Sequence, residues 1–353
     1  MTNFYLSKNY IETTSAGNKA KTDVEKILSD LGYKHAGLRQ TTYSNKIIGF
    51  ILTFTGIIKI FFTIGKNDTA FIQYPLKKYY TFACKLIHLR RGKVITLVHD
   101  LGAFRRKKIS IKEEIRKLNH SDYLIVHNNN MKEWLTRQGY SHPMVCFEIW
   151  DYLSTADNKE QKKLDEQPIK VIYAGNSNYR KNNFLYSLED IILNWKFELY
   201  GKGFDVNKIK NNFKFAYKGY CQSDKLIEEV CGHFGLIWDG DSVTGCEGNF
   251  GVYLEMNNPH KASLYIRCNL PIIIWKKAAL APFIIENKIG ISIQSLEELN
   301  KILPSISFEE YNEMRKNIIE INKKISSGFY LKKALSQIDI LNFPHPCPVH
   351  SDL

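Results

Sequence analysis

Short apolar runs alternate along this chain with helix-length amphipathic segments, and this alternation limits the possible folds more than any other feature. In the first half, the clearest predicted strands cover 70–73 and 94–98, and a helical pattern over 76–89 separates them. Strands that alternate with helices in this way are typical of parallel sheets covered by helices. The pattern therefore predicts an α/β fold.

One polar stretch, STADNKEQKKLDEQ, interrupts the alternation, which restarts with a predicted strand at 169–173. A chain of 353 residues is long enough for two domains of roughly 150 residues each. In α/β domains ligands bind at the carboxyl ends of the strands, so we expect a site in the cleft between the domains. We predict an N-terminal domain over 1–153, a linker over 154–168, a second domain over 169–335, and a tail over 336–353 with a disordered end.

Basic residues outnumber acidic ones by 49 to 36, which gives a formal net charge of +13. Such a charge favours polyanions, namely nucleic acid, an anionic membrane or phosphate-bearing substrates, although a solvated basic face explains it equally well. The chain has no pattern typical of nucleic-acid-binding modules. A basic nucleic-acid-binding protein is therefore an alternative, and we expect no nucleic-acid partner.

Residues 47–64, IIGFILTFTGIIKIFFTI, are apolar enough to be scored as a membrane span. Lys59, two glycines and three threonines interrupt the stretch, and a turn and a strand follow at once. We expect a helix that is buried or lies at a membrane interface, rather than one that crosses the bilayer.

The seven cysteines form no CxxC pair and no metal-finger spacing, and the N-terminal residues are too polar for a signal peptide. We therefore expect reduced core cysteines in a cytoplasmic protein. Peripheral association with the inner face of the cell membrane remains open.

The strongest local motif is NNPHKAS, which precedes a predicted helix over 261–267. Pro259 can start this helix and Asn258 can cap it. Lys261 and Ser263 then lie in the first turn, where unpaired backbone N–H groups and the positive end of the helix dipole favour a diphosphate. An ordinary capped helix would account for Asn258 and Pro259, but not for a cation that opposes the dipole.

Two further predicted strands end in glycine. The run VIYAGN leads into Gly175 and Asn176 with Lys181 just beyond, and Gly201 follows the next strand. Glycine lets a ligand approach the backbone, and a lysine beside a helix start favours phosphate, although a structural turn explains the glycines equally well. The motif is not GxGxxG, so it does not indicate a dinucleotide.

Carboxylates also lie at predicted strand ends. Asp239 and Asp241 are spaced as a DxD pair that can share a divalent cation, but we expect Asp239 to accept a ribose or sugar hydroxyl, with no metal site. His99 and Asp100 end the strand at 94–98, where a general base is well placed, and a core histidine beside a capping aspartate is the alternative.

Near the N-terminus, Gly17, Asn18 and Lys19 suggest a glycine loop for an acceptor, or merely the approach to a helix predicted over 23–31.

Taken together, these motifs resemble a bacterial sugar-transferase family of the GT-B fold. The family includes β-1,6-galactofuranosyltransferases of surface polysaccharides and the glucosyltransferase that extends GlcNAc on serine-rich-repeat adhesins. The resemblance covers roughly 10–335. It rests on QYP, the His99-Asp100 strand end, SDYLIVHN, YAG, GLIWDG and, most specifically, NPHKASLY.

The resemblance implies two Rossmann-like domains that face each other across a cleft, with a UDP-sugar donor in the second and an acceptor in the first. It also implies no cofactor, no essential metal and a homo-oligomer. Asp241 and the insert TGCEGNF depart from the family pattern. By position, the implied diphosphate ligands are Lys181, Asn258, Lys261 and Ser263. The full predicted donor site is Gly175, Asn176, Lys181, Gly201, Tyr220 (near the uridine), Asp239, Tyr253, Asn258, Lys261 and Ser263.

We therefore predict transfer of a hexose (galactofuranose, glucose or galactose) from a UDP-sugar to a sugar hydroxyl in the assembly of a bacterial surface polysaccharide or glycoprotein. Asp100 is the predicted base and His99 supports it, while Gly17, Asn18 and Lys19 contact the acceptor. A non-catalytic sugar-nucleotide sensor is a second alternative.

Overall fold

The computed structural model describes residues 1–10, 16–37, 39–76, 79–105, 107, 109–158, 164–210 and 213–342. It contains two six-stranded sheets, one in each half of the chain, and helices flank both. All pairings between the described strands are parallel. The predicted α/β fold with two Rossmann-like domains is confirmed.

The first sheet occupies the N-terminal domain. Its strands are β1 (Asn3–Tyr5), β2 (Lys34–His35), β3 (Thr69–Tyr74), β4 (Lys93–Val98), β5 (Tyr123–Val126) and β6 (Met144–Cys146), in the spatial order β2-β1-β3-β4-β5-β6. Its helices are α1 (Ala16–Asp30), α2 (Lys46–Thr63), α3 (Tyr80–Leu89), α4 (Gly102–Arg105), α5 (Ile111–Leu118) and α6 (Asn129–Arg137). The central strands β3 to β5 are almost wholly buried, as expected for parallel strands covered on both faces.

The second sheet occupies the C-terminal domain. Its strands are β7 (Ile169–Ala174), β8 (Trp195–Tyr200), β9 (Phe215–Gly219), β10 (Phe234–Ile237), β11 (Ile272–Trp275) and β12 (Gly290–Ile293), in the spatial order β12-β11-β10-β7-β8-β9. The helices are α7 (Leu188–Ile191), α8 (Ser223–Glu229), α9 (Gly248–Val252), α10 (His260–Arg267), α11 (Ala281–Glu286), α12 (Leu299–Ser305), α13 (Phe308–Ser326) and α14 (Phe329–Asn342). Short 3-10 turns cover Asn183–Tyr186, Val206–Lys208, Tyr253–Glu255 and Leu296–Glu298.

The order of the second sheet places a crevice at its centre. The chain proceeds from β7 through β8 to β9 on one side, and from β10 through β11 to β12 on the other, so the neighbours β7 and β10 mark a reversal of direction. Such a reversal opens a crevice outside the carboxyl ends of the two strands. In the first sheet, β1 and β3 form a junction of the same kind.

The C-terminal helix α14 returns to the N-terminal domain. The backbone N–H groups of Tyr330 and Leu331, in its first turn, donate to the Asp151 carboxylate over 3.1 and 2.7 Å, and Ile338 is fully buried. Helix α14 continues to Asn342, so the predicted start of the tail at residue 336 falls inside a packed helix and is wrong. Residues 343–353 lie outside the described part of the chain.

Part of the predicted linker packs on the second domain. Asn158 is buried and donates to the carbonyls of Ile227 and Val230, whereas 159–163 lie outside the described residues. The linker itself stays a prediction.

Helix α2 contains the long apolar stretch. Only three of its residues are buried, namely Gly56, Ile57 and Ile60. The prediction of a buried helix is therefore wrong, and most of the apolar side chains of α2 lie at the surface.

Candidate functional site

The strand ends of β7 and β8 meet in close backbone contact. A Cβ on Gly201 would lie 1.9 Å from the carbonyl oxygen of Gly175, so only glycine lets these segments approach. Asn176 is exposed, and its Oδ1 accepts from the backbone N–H of Asn178 over 2.8 Å, which turns the chain towards Lys181. This close backbone contact explains why residue 201 is a glycine. Contact of Gly201 with a donor stays a prediction.

A carboxylate with two lysines lies in the crevice between β7 and β10. Asp239 lies two residues beyond β10, and its Oδ1 is 2.7 Å from the Lys261 Nζ in the first turn of α10. The Lys181 Nζ is 3.3 Å from Oδ2, and the Tyr173 hydroxyl of β7 donates to Oδ1 over 2.9 Å. The fold thus brings two predicted donor-site residues, Lys181 and Lys261, into contact with a third, Asp239.

Electrostatics leave this cluster with excess positive charge. Burial alone would raise the pKa of Asp239, but the charges of Lys181 and Lys261 outweigh it and lower that pKa to about 2. Burial lowers the pKa of Lys261 to about 8, although the Asp239 carboxylate opposes the shift. At neutral pH one carboxylate therefore faces two ammonium groups, and the crevice favours an anion.

The same geometry changes the interpretation of Lys261. This side chain is only 11% exposed and also contacts the Tyr173 hydroxyl (3.0 Å) and the Trp238 carbonyl (3.3 Å). The lysine that an ordinary capped helix left unexplained therefore has a structural partner, Asp239.

The second DxD carboxylate, that of Asp241, lies beside Gly248. The Asp241 Oδ2 would be 2.2 Å from a Cβ on Gly248, whose φ of +73° favours glycine. Among the described residues, no group of three or more His, Cys, Asp or Glu side chains is arranged to hold a metal. The hydroxyl-accepting role of Asp239 and metal independence stay predictions.

Asn258 joins the two domains and does not cap α10. Pro259 is the capping residue, with no side-chain cap bond, and the helix begins at His260. The Asn258 side chain, which is 2% exposed, donates to the carbonyls of His127 (2.8 Å) and Glu148 (2.6 Å). The capping prediction is wrong because these bonds across the domain boundary engage the amide.

Ser263 and Tyr253 also face the N-terminal domain. The Ser263 hydroxyl is fully buried and donates to the Trp150 carbonyl over 2.6 Å. The Tyr253 hydroxyl accepts from the backbone N–H of Leu101 over 2.9 Å. Both predicted donor ligands hold the domains together here, and their contact with a donor stays a prediction.

The predicted base Asp100 is paired with Arg105. One terminal nitrogen of Arg105 lies 2.7 and 2.6 Å from the two carboxylate oxygens, and the guanidinium also lies over the Tyr253 ring. Burial would lower the pKa of Arg105, but Asp100 and, more weakly, Asp239 raise it overall. The contact with Tyr253 places the Asp100–Arg105 pair at the boundary between the two domains.

His99 belongs to a buried relay. Its Nε2 lies 2.7 Å from the Gln73 Oε1, and its ring stacks on Trp150. Burial lowers the pKa of His99 well below its usual value, so the ring is neutral at pH 7. The Gln73 amide in turn lies 3.4 Å from Glu25, whose carboxylate accepts from the hydroxyls of Ser7 and Tyr10.

Gly17, Asn18 and Lys19 lie within helix α1, so the predicted glycine loop is wrong. The Lys19 Nζ is 2.5 Å from Asp23 in the same helix and also donates to the Leu153 carbonyl. The helix therefore begins at Ala16, seven residues before the predicted start at residue 23. Contact of the three residues with an acceptor stays a prediction.

Tyr220 follows β9 at the carboxyl edge of the second sheet. Its ring is half exposed, and the Lys202 Nζ lies 4.0 Å from the ring centroid. The pair offers a flat ring and a cation at the surface of this edge, as a base and a phosphate require.

Two family models cover almost the whole chain. The description "glucosyltransferase 3-like, N-terminal domain" matches residues 3–149, and "glucosyltransferase 3-like, C-terminal domain" matches 171–338. The chain belongs to the glucosyltransferase 3-like family. It is accordingly a glycosyltransferase, as the motifs predicted.

Known proteins agree with this assignment. The chain is 31% identical over 336 residues to the β-1,6-galactofuranosyltransferase WbbI of Escherichia coli K12, covering 95% of this chain and 98% of that protein. The lipopolysaccharide outer core galactosyltransferase WaaB superposes with a TM-score of 0.62 at 10% identity, over 96% of this chain and 99% of that one. TarM from S. aureus superposes with a TM-score of 0.51 at 15% identity, over 79% of this chain and 57% of that one. The GT-B fold is confirmed.

Sequence reasoning missed three residues of this glycosyltransferase. Arg105 begins a basic run in the sequence, and its position five residues after Asp100 is the signal that could have suggested a partner. Glu25 gave no signal, because a glutamate in an amphipathic helix normally faces solvent, and Gln73 was noted only in the QYP motif.

Replacing Glu25 by glutamine is expected to stabilise the enzyme at pH 8 but not at pH 5. Burial raises the pKa of Glu25 to about 7, above the usual unfolded value near 4.3, so the folded state holds this proton more tightly. Ionising the carboxyl as pH rises towards 7 therefore costs stability, up to about 3 kcal/mol, and glutamine avoids that cost. Urea unfolding at both pH values measures the effect, with Glu286→Gln on the exposed surface as the control. Equal effects of Glu25→Gln at the two pH values would contradict it.

Proposed function

We propose that this glycosyltransferase transfers a hexose (galactofuranose, glucose or galactose) from a UDP-sugar to a sugar hydroxyl in the assembly of a bacterial surface glycan. The observation that carries the proposal is the cluster of Lys181 and Lys261 around Asp239 at the β7–β10 junction. Two ammonium groups held by one carboxylate present a fixed positive charge, which suits a nucleoside diphosphate.

The similar proteins support this donor and acceptor class. WbbI is named for galactofuranosyl transfer, the family model for glucosyl transfer, and WaaB for galactosyl transfer to lipopolysaccharide. TarM has been solved in complex with UDP. All four descriptions involve hexosyl transfer or a uridine nucleotide, which favours a UDP-hexose over other donors.

In the proposed reaction, a bond forms between the acceptor oxygen and the anomeric carbon while the bond from that carbon to the diphosphate oxygen breaks. UDP leaves with the electron pair, and Lys181 and Lys261 stabilise its developing negative charge, so the reaction does not rely on a metal ion. The acceptor hydroxyl proton passes to Asp100, whose carboxylate lies two residues beyond β4 and is 31% exposed. Arg105 orients this carboxylate. The Glu25–Gln73–His99 relay fixes the end of β4, where His99 directly precedes Asp100.

Tyr220 is proposed to stack on the uracil, with Gly175, Asn176 and Gly201 giving the nucleotide access to the backbone. Gly17, Asn18 and Lys19 contribute to the acceptor side from the first turn of α1. A homo-oligomer and a cytoplasmic location complete the proposal.

A thermal-shift panel with and without EDTA tests the donor. We expect UDP and one UDP-hexose at 100 times their Kd to raise the Tm by roughly 5–10 °C, since binding at that ratio adds about 2.7 kcal/mol, and we expect GDP to have little effect. EDTA should change nothing. No shift with any uridine nucleotide would contradict the donor, loss of the shift in EDTA would contradict metal independence, and binding without product from any acceptor would indicate a sensor.

A further inference from the structure

Helix α2 presents an apolar stripe to solvent. Ile47, Ile51, Phe54, Ile58 and Phe62 recur every three or four residues, which places them on one face, and they are 38–77% exposed. Ile48 and Phe50 add to the edge of the stripe at 42% and 47% exposure. A contiguous apolar face of this length on a soluble fold indicates an interaction surface.

The fold prevents this helix from crossing a bilayer. Its opposite face packs on the domain through Gly56, Ile57 and Ile60, and α2 connects β2 to β3 within one parallel sheet. The helix is long and apolar enough to span a membrane, with a mean hydropathy of 1.7. Inserting it, however, would place β2 and β3, which both pair with β1, on opposite sides of the bilayer. The exposed stripe can therefore lie against a surface and not pass through one.

The surroundings of the stripe are both apolar and strongly basic. On the neighbouring helix α3, Phe82 and Leu89 are 41% and 71% exposed. From residue 31 to 99 the sequence has eleven lysines and arginines and a single acidic residue, Asp68, so ten of the thirteen net positive charges fall in this segment. Even Asp68 is turned inward, since its carboxylate accepts from the backbone N–H groups of Thr2 and Gly65.

A basic cavity adjoins the C-terminal half of the stripe. It has a volume of about 540 Å³, and its lining includes Lys34, Arg39, Lys59 and Phe62. Three cations beside an exposed aromatic ring suit a negatively charged headgroup next to an acyl chain.

The charge decides between the possible occupants. A second copy bound through this same face would bring two strongly basic surfaces together, which is unfavourable. An anionic bilayer offers apolar chains for the stripe and phosphates for the surrounding lysines and arginines. We propose that α2 lies flat in the interface of an anionic membrane, with the stripe towards the acyl chains and the basic cavity at a headgroup. This inference is independent of the sugar donor.

Vesicle co-sedimentation of the full chain tests the proposal. Vesicles of phosphatidylcholine with phosphatidylglycerol at 3:1 are expected to bind the protein at least about ten-fold more strongly than pure phosphatidylcholine vesicles, and 500 mM NaCl should weaken the binding. The double variant Ile51→Glu and Phe62→Glu, at two exposed positions of the stripe, should lose binding by a further ten-fold or more. Its matched control is Ile319→Glu with Ile340→Glu, on exposed positions of α13 and α14, which should bind as the wild type.

The UDP-induced Tm shift of both variants should equal that of the wild type, which shows that the fold and the donor site are intact. No binding to anionic vesicles, or equal loss in the stripe and control variants, would overturn the proposal. Equal binding to anionic and to pure phosphatidylcholine vesicles would overturn the electrostatic part of the proposal. A dimer without lipid that only the stripe variant disrupts, seen by light scattering, would assign the face to a second copy instead.

Discussion

Replacing Lys261 by methionine is expected to weaken UDP binding by roughly 10- to 100-fold and to slow turnover at least as much. Methionine keeps much of the length of the side chain but removes the charge, and a charge-assisted hydrogen bond contributes about 1.5–3 kcal/mol. The loss in turnover arises because the lysine charge stabilises the departing UDP more strongly than the bound donor. Isothermal titration with UDP and initial rates with a UDP-hexose measure the two effects.

The structure predicts a side effect of this change that must be separated from ligand binding. Without Lys261, the buried Asp239 carboxylate keeps Lys181 and Tyr173 as its side-chain partners among the described residues, so the Tm is expected to fall. Adding Asp239→Asn removes the poorly paired charge and should restore part of the Tm, but not UDP affinity. Lys225→Met, on an exposed lysine of α8 in the same domain, is the matched control. If the folded double variant bound UDP as tightly as the wild type, Lys261 would not be a phosphate ligand.

Strands buried on both faces were the most predictable part of this fold. A central parallel strand needs apolar side chains on both faces, so it forms a continuous apolar run that the sequence displays directly. For this reason the predicted strand at 94–98 lies within one residue of β4, and the strand predicted at 169–173 lies within one residue of β7. By contrast, β2 has only two residues, Lys34 and His35, and no pattern distinguishes it from a loop.

The chemistry at the β7–β10 junction was predictable in kind but not in arrangement. A lysine in the first turn of a helix conflicts with the helix dipole, and this conflict predicts a bound anion beside Lys261. The partner in the structure, Asp239, lies 22 residues away on another element, and only the fold brings the two together. Glu25 was missed for the same reason, because its hydroxyl partners Ser7 and Tyr10 come from the segment after β1.

Asn258 shows how a local rule can fail when a distant partner competes. Asparagine before a proline and a helix is a natural N-cap, yet its side chain is more fully paired at the domain boundary. There it makes three hydrogen bonds, two to the carbonyls of His127 and Glu148 and one from the Asn128 amide. As a helix cap, the Asn258 side chain would use its oxygen alone, whereas at the domain boundary it also uses its N–H groups as donors.

Replacing Asn258 by alanine is therefore expected to lower the stability of the enzyme by about 3 kcal/mol, with a fall in Tm of roughly 5–10 °C. The change leaves the carbonyls of His127 and Glu148 without this donor in a buried boundary, and unsatisfied buried groups cost about 1–3 kcal/mol each. UDP affinity should change by less than about three-fold, because the amide is turned away from the lysine cluster towards the N-terminal domain. Differential scanning calorimetry and UDP titration of the same preparation measure both.

Asn257→Ala supplies the matched control, since it is the same substitution one residue earlier. The buried Asn257 Oδ1 has no hydrogen-bond partner within the described residues, so removing it should leave the Tm within about 1 °C of the wild type. If Asn258→Ala instead lost UDP affinity ten-fold or more with little change in Tm, Asn258 would bind the donor diphosphate, as the family resemblance implied. The two outcomes differ on both measurements, because a residue that joins the domains stabilises the free protein, whereas a diphosphate ligand contributes only when the donor is bound.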